Sequence, residues 1–169
     1  THGRCYRMTR VWKFGDNVNT DQIIPARYYP TEDLKGLGKK CLCETRADIG
    51  GNIREGDVIL GGSNFGCGSS REYAPLAIKY SGAKCVIAKS FARIFYRNAI
   101  NIGLPILISK EAFDNFQDND SVEVDLAKGI VKNISRKISF ATEALPPFIL
   151  KIVNEGGIIN FLKKHAMEE

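Results

Sequence analysis

The stretch "GSNFGCGSSREYAP" (62–75) follows the short apolar run 58–60. Such a run, bounded by turn residues, is typical of a buried strand, and glycines at 66 and 68 allow the left-handed backbone that a tight turn needs. Pro75 favours a helix that begins near Glu72, because proline fits the first turn of a helix but not its interior. The stretch therefore predicts a strand, a glycine-rich loop and a helix in succession.

The same alternation continues on both sides of this stretch. Apolar runs separated by helical segments predict parallel β-α-β units, in which ligands collect at the carboxyl ends of the strands. The predicted strands are 11–14, 58–60, 84–88 and 104–108, and the predicted helices between the last three are 75–80 and 91–100.

The second half of the chain has a different pattern. Two strands, 122–126 and 130–134, are predicted to form a β-hairpin, and 137–141 a third strand. A closing helix begins at Pro147, breaks at Gly156 and Gly157 and resumes to Lys164. We therefore predict a single α/β domain over 1–169, with a parallel β-α-β core and an added β-hairpin.

Two segments lack the regular spacing of apolar residues that is typical of a helix or a strand. Residues 26–52 carry four glycines and predict a long, mobile surface loop, a type that often contacts substrate. The first ten residues are interpreted as a possible native extension or a tag remnant.

Composition narrows the class of protein. The hydrophobic fraction is 44% and the charged fraction 25%, as expected for a folded globular chain. No apolar run approaches the roughly 18 residues of a membrane span, and no signal peptide precedes the first strand, so we expect a cytoplasmic protein without membrane contact. The net charge of +5 comes from scattered basic residues, which favours a small anionic ligand over nucleic acid.

The cysteines do not predict a metal site. There are five, at positions 5, 41, 43, 67 and 85, without a C-x-x-C pair, and the two histidines lie at the two ends of the chain. We expect reduced thiols and no metal bound by this chain alone. Cys67, between two glycines, is interpreted as a packing residue, with a reactive thiol as the alternative.

The loop 62–72 has the chemistry of an anion site. A helix that starts after a glycine-rich loop points free N–H groups at it, and Arg71 adds a fork of donors that suits a carboxylate. The alternative is that Ser69 caps the helix, since Ser69 to Glu72 fits the pattern S-x-x-E. Pro75 disfavours that alternative, because it would then lie beyond the first turn.

Three motifs in register resemble one family. "NTDQIIP" (19–25), "FGCGSSREYAP" (65–75) and "KSFARIFYRNAINIGLP" (89–105) resemble the small subunits of 3-isopropylmalate dehydratase and homoaconitase, which correspond to the swivel domain of aconitase. The resemblance extends from Val11 to Lys164. It implies a swivelling β/β/α domain of a hydro-lyase that isomerises a hydroxy acid by removing water and adding it back. It also implies a large-subunit partner that holds a [4Fe-4S] cluster.

The resemblance also assigns roles to residues. Ser69 would be the base that takes a proton from the carbon next to a carboxylate, and Ser70 and Arg71 would hold carboxylate oxygens. Four further residues would support the site: Thr20, Asp21, Gly66 and Gly68. For Thr20 and Asp21, an equally good interpretation is that they form a turn ahead of the buried isoleucines.

Substrate choice is assigned by the resemblance to "ARYYPTED" (26–33). Homoaconitases tend to carry an arginine where this chain has Pro30, so an apolar substituent is favoured over an extra carboxylate. A tricarboxylate remains the alternative if Arg27 turns inward, and a non-catalytic anion-binding or regulatory partner is the alternative to an enzyme subunit. The predicted substrate contacts in this segment are Arg27, Tyr28, Tyr29, Pro30 and Thr31.

Overall fold

A four-stranded parallel sheet lies at the centre of the molecule. The computed structural model describes residues 8–29 and 33–166. The strands follow one another in the order β1-β2-β3-β4, and every neighbouring pair is parallel. Their bounds are Val11–Lys13 (β1), Val58–Gly61 (β2), Cys85–Ala88 (β3) and Ile106–Ile108 (β4). The predicted parallel core is confirmed.

Both faces of this sheet are covered, which explains why its strands are apolar without alternation. In β2, Ile59 packs into one hydrophobic cluster, whereas Val58 and Leu60 pack into a second cluster on the opposite face. All three side chains are almost completely buried. The sheet therefore separates two cores.

The helices divide unequally between the two faces. Among the described residues, α5 contributes to the second cluster through Ala112 and Phe113, α6 contributes to both clusters, and the other helices pack on the first. In the described part of the chain, none of the helices is both long and apolar enough to cross a membrane. The helices are Thr20–Ile23 (α1), Leu34–Lys40 (α2), Tyr73–Ser81 (α3), Arg93–Ile102 (α4), Lys110–Asn115 (α5), Pro147–Asn154 (α6) and Ile158–Ala166 (α7).

A three-stranded antiparallel sheet covers the second face. It consists of Val122–Asp125 (β5), Ile130–Asn133 (β6) and Ile138–Ala141 (β7), in that order. Its alternating strands turn Val124, Val131 and Phe140 toward the parallel sheet. The result is a β/β/α arrangement of three layers, so the predicted fold class, including the hairpin and its third strand, is confirmed.

The prediction of an irregular loop over 26–52 is wrong for much of that segment. A 3-10 helix covers Ala26–Tyr28, and α2 begins after Asp33, whose side chain accepts a hydrogen bond from the Lys35 amide. Leu37, Leu42 and Ile49 are buried in the first cluster. The loop prediction rests partly on Gly38. This glycine lies in α2, where it lets the helix approach the backbone of Tyr80 so closely that any larger residue would clash. The mobility of 26–52 and its contact with substrate stay predictions.

An ionic network holds this segment against β1. Arg46 donates two hydrogen bonds to Asp118 (2.8 and 3.0 Å) and two to Asp48 (3.0 and 2.6 Å). These hydrogen bonds raise the pKa of Arg46 above its ordinary value. Burial raises the pKa of Asp118, but hydrogen bonds from Arg46 and from the Lys13 amide, with the charges of Arg46 and Arg10, outweigh it and leave that pKa below its usual range.

We expect this network to make the free energy of unfolding depend on pH in the acidic range. Because the folded pKa of Asp118 is lowered, its stabilisation is complete above about pH 4, the unfolded value, and is lost as pH falls through the folded pKa. Asp118→Asn should lower the free energy of unfolding at neutral pH by about 1 kcal/mol, a figure reduced for solvent screening, and should flatten its decline in acid. Urea unfolding between pH 7 and pH 2.5 measures both effects.

The control for this prediction is Asp114→Asn. Asp114 is more exposed and lies 3.6 Å from its partner Lys89. We expect that variant to keep the wild-type pH profile. Identical profiles for Asp118→Asn and the wild type would contradict the assignment.

Candidate active site

The serine loop, residues 62–72, lies at the carboxyl edge of the parallel sheet between the segments that follow β1 and β3. On one side, the Gly66 amide donates to the Val18 carbonyl (2.7 Å) and the Thr20 amide to the Cys67 carbonyl (2.8 Å). On the other side, the Phe65 amide donates to the Ser90 carbonyl (3.0 Å). These backbone bonds fix the loop from both sides, as expected for a site at the ends of parallel strands.

Two glycines shape the loop. Gly66 has φ +85° and Gly68 has φ +106°, both in the left-handed region that the sequence predicted. A Cβ at Gly66 would overlap the Phe95 side chain, and one at Gly68 would lie 3.2 Å from the Thr20 hydroxyl oxygen. The loop can therefore pack against α4 and α1 only because these two positions lack side chains.

Thr20 contacts the predicted base directly. Its hydroxyl oxygen accepts a hydrogen bond from the Ser69 amide (3.1 Å) and lies 3.2 Å from the Ser69 hydroxyl oxygen. Thr20 is buried at the start of α1, where a capping box between Asn19 and Gln22 fixes the backbone. The two hydroxyl oxygens are within hydrogen-bonding distance, and either hydroxyl can be the donor. Asp21 is exposed on the same short helix, which replaces the turn considered as an alternative.

Ser69 does not cap the helix. Helix α3 begins at Tyr73 after Glu72, which leaves Pro75 in the first turn and Ser69, Ser70 and Arg71 exposed in the loop. Among the described residues, the Ser70 and Arg71 amides donate to no protein acceptor. The loop therefore presents free N–H groups next to the positive end of a helix dipole.

Arg71 is supported by an aromatic stack. Its guanidinium carbon lies 5.1 Å from the centre of the Tyr29 ring, which stacks on Tyr73 at 4.5 Å and 9°. No carboxylate among the described residues forms an ion pair with Arg71. The stack thus brings one residue of the predicted substrate segment, Tyr29, to the serine loop.

Two other residues of that segment contact a carboxylate outside the loop. Arg27 forms an ion pair with Glu44, and the Tyr28 hydroxyl donates to the same carboxylate (3.1 Å). Pro30 and Thr31 lie outside the described residues. Their contact with substrate stays a prediction.

Sequence reasoning missed Asn98. From α4, its side-chain amide donates to the Ser70 carbonyl (2.9 Å), across 28 positions of the chain. At the start of α4 the cap position is Ala92, and the Ser90 hydroxyl accepts from the Asn64 amide (2.8 Å). Neither contact has a signal in local spacing, because each depends on how α4 meets the serine loop.

Two of the four cysteines that the structure describes are buried. Cys41 and Cys85 are fully buried, and burial raises the pKa of Cys41 and raises that of Cys85 to about 12, so both remain neutral thiols. Cys43 and Cys67 are half-buried free thiols. Over residues 8–29 and 33–166, no three histidine, cysteine or acidic side chains converge to hold a metal ion.

Comparison with known proteins agrees with this architecture. The family profile described as "Aconitase C-terminal domain" matches residues 54–111. Curated relatives named 3-isopropylmalate dehydratase small subunit include one from Caldanaerobacter subterraneus subsp. tengcongensis, 52% identical over 90% of this chain and 94% of the relative. Another, from Helicobacter hepaticus, is 53% identical over 91% of this chain and 93% of the relative. A crystal structure of 3-isopropylmalate dehydratase from Methanocaldococcus jannaschii has a TM-score of 0.88 and 46% identity, covering 94% of each chain.

The three-layer fold and the glycine-rich loop at its sheet edge define the class as an aconitase-type domain. With more than 50% identity across 90% of its length to such relatives, the chain belongs to the family of 3-isopropylmalate dehydratase small subunits. The family resemblance carried by the three motifs is confirmed.

The geometry of the loop predicts a contrast between two glycines. Gly66→Ala should lower the free energy of unfolding by about 3 kcal/mol or prevent folding, because it combines a left-handed φ with overlap on Phe95. Gly15→Ala, where a Cβ meets nothing within 4 Å, should change it by less than about 0.5 kcal/mol. Thermal and urea unfolding compare the two variants, and similar stabilities would contradict this account of the loop.

Proposed function

We propose that this chain is the small subunit of a cytoplasmic hydro-lyase that isomerises 3-isopropylmalate in leucine biosynthesis. The names of its relatives support the reaction. The observation that supports the site is the exposed Ser69 hydroxyl beside the buried Thr20 hydroxyl. A non-catalytic anion-binding role has no comparable support, because anion binding alone does not require a paired hydroxyl.

Ser69 acts as the base at the carbon next to a substrate carboxylate. A serine hydroxyl is a very weak acid, so its deprotonated oxygen needs donors that are already in place. The Thr20 hydroxyl, whose oxygen lies 3.2 Å away, can donate to this oxygen, and the positive end of α3 adds a favourable dipole. The proton removed from carbon is then held on the Ser69 oxygen and is available for return during rehydration.

Arg71 and Ser70 bind substrate carboxylate. The guanidinium fork suits a carboxylate in a two-pronged geometry, and stacking on Tyr29 restricts its orientation without neutralising its charge. The free amides of Ser70 and Arg71 add donors for the charge that develops as the proton leaves. The loop therefore combines proton transfer with anion binding.

The large subunit completes the site. The three functional side chains of the serine loop are exposed, and catalysis of this kind needs a site from which water is excluded. We assign the cluster expected for the family to the partner, because no three histidine, cysteine or acidic side chains converge among the described residues of this chain. When bound, that cluster supplies Lewis-acid iron for the departing hydroxyl.

The ion pair between Arg27 and Glu44 favours a substrate with an apolar substituent. Arg27 is the one cation of the substrate segment that could bind an extra carboxylate of a substrate, and it is already paired with Glu44. A carboxylate buried without a partner costs several kcal/mol, whereas an isopropyl group is compatible with tyrosine rings. The tricarboxylate alternative is therefore disfavoured.

Substitutions in the reconstituted complex test the site. Ser69→Ala should lower kcat by about 10²–10⁴-fold without weakening assembly, because a proton-transfer group acts in the transition state. Arg71→Lys keeps the charge but loses the fork, so KM should rise as well. Ser63→Ala, in the same loop, is the matched control and should leave turnover unchanged. Normal turnover by Ser69→Ala would exclude this serine as the base.

Substrate preference is tested by releasing Arg27. The wild-type complex should have a higher kcat/KM for 3-isopropylmalate than for homoaconitate. Glu44→Gln frees Arg27 and Pro30→Arg adds a cation, so each should shift the ratio toward the tricarboxylate. A wild-type preference for homoaconitate would show that other residues determine specificity.

A further inference from the structure

Two exposed arginines lie on one face of α4. Arg93 and Arg97 are exposed, lie four positions apart on one helix face, and form no ion pair with any described carboxylate. Ile94, between them, is 52% exposed. By contrast, ion pairs hold several other arginines of the chain: Arg10, Arg27, Arg46 and Arg136.

This face is continuous with the active site. Ile94 and Asn98 lie one helical turn apart on the same side of α4. Asn98 in turn donates to the Ser70 carbonyl at 2.9 Å. A partner that covers the serine loop therefore reaches Ile94 and its two arginines with the same surface.

We propose that Arg93, Ile94 and Arg97, which we name the α4 strip, dock the large subunit. The proposal rests on the proposed function, which requires a second chain over the serine loop. A stable interface buries about 800 Å² on each partner, more than a loop of eleven residues offers, so the contact extends onto neighbouring surface. The large subunit meets the strip with carboxylates around an apolar contact.

Charge argues against a second copy of this chain as the occupant. In a two-fold symmetric pair, the same patch of each copy faces the other. The α4 strip would then place arginines against arginines without intervening carboxylates. An acidic partner surface gives attraction instead, which accelerates association and selects the partner.

The test reverses the two charges in the complete subunit. Arg93→Glu/Arg97→Glu should weaken binding to the large subunit at least tenfold in low salt, and the difference should shrink as salt rises. Calorimetric titration at two ionic strengths measures the affinity. At saturating large subunit, kcat and KM should equal the wild-type values, because the strip lies outside the substrate site.

A matched control is available on α2. Lys35 and Lys39 are also exposed and four positions apart, but they lie near Tyr80 and Ser81, at the end of α3 remote from the serine loop. Lys35→Glu/Lys39→Glu makes the same change in net charge and should leave the affinity unaltered. Ile94→Ala should weaken binding in a way that does not depend on salt.

Three results would overturn the proposal. The first is unchanged affinity of the Arg93→Glu/Arg97→Glu subunit, and the second is a raised KM at unchanged affinity, which would make the arginines substrate ligands. The third is a charge-dependent change in self-association alone, which would make a second copy the occupant. Failure of the proposed function would give a different result from failure of this proposal. A complex that assembles normally but converts no hydroxy acid would contradict the proposed function, while its affinity would still test the docking surface.

Discussion

The Phe95 ring lies directly over Gly66, and this contact determines how close α4 comes to the serine loop. The ring is buried and makes an edge contact with Phe65, so it has little freedom to move away. Because the loop and α4 are held at this separation, the Asn98 amide reaches the Ser70 carbonyl. The geometry of three functional residues thus depends on a packing contact that involves none of them.

The site combines a rigid, buried support with an exposed surface. Thr20 is buried, whereas the side chains of Ser69, Ser70 and Arg71 are exposed to solvent. Within the described residues, no buried side-chain nitrogen or oxygen lacks a hydrogen-bond partner, so the described part of the subunit does not carry the cost of an unsatisfied buried polar group. In the function proposed above, the cost of removing water from Arg71 would arise only on assembly, when substrate carboxylate would offset it.

Local sequence patterns were sufficient for the parallel strands, the start of α3 and the break at Gly156 and Gly157, because each depends on nearby residues. They failed where distant contacts decide the structure. Gly38 resembles a loop glycine until Tyr80 is placed against it, and the ion pair of Arg27 joins residues that no periodicity relates. Helix α5 has only six residues, too few for a clear helical period. The residue types of the site were predictable, but Asn98 required the tertiary structure.

The hydrogen bonds around the serine loop join residues that are far apart in the sequence. Thr20 and Ser69 are separated by 49 positions, and Asn98 follows Ser70 by 28. During synthesis, a chain that has emerged only as far as α3 lacks the Phe95 and Asn98 contacts that hold its loop. The subunit therefore cannot present a formed half-site until α4 has been translated and has folded onto the sheet, so productive pairing with the large subunit cannot precede that step.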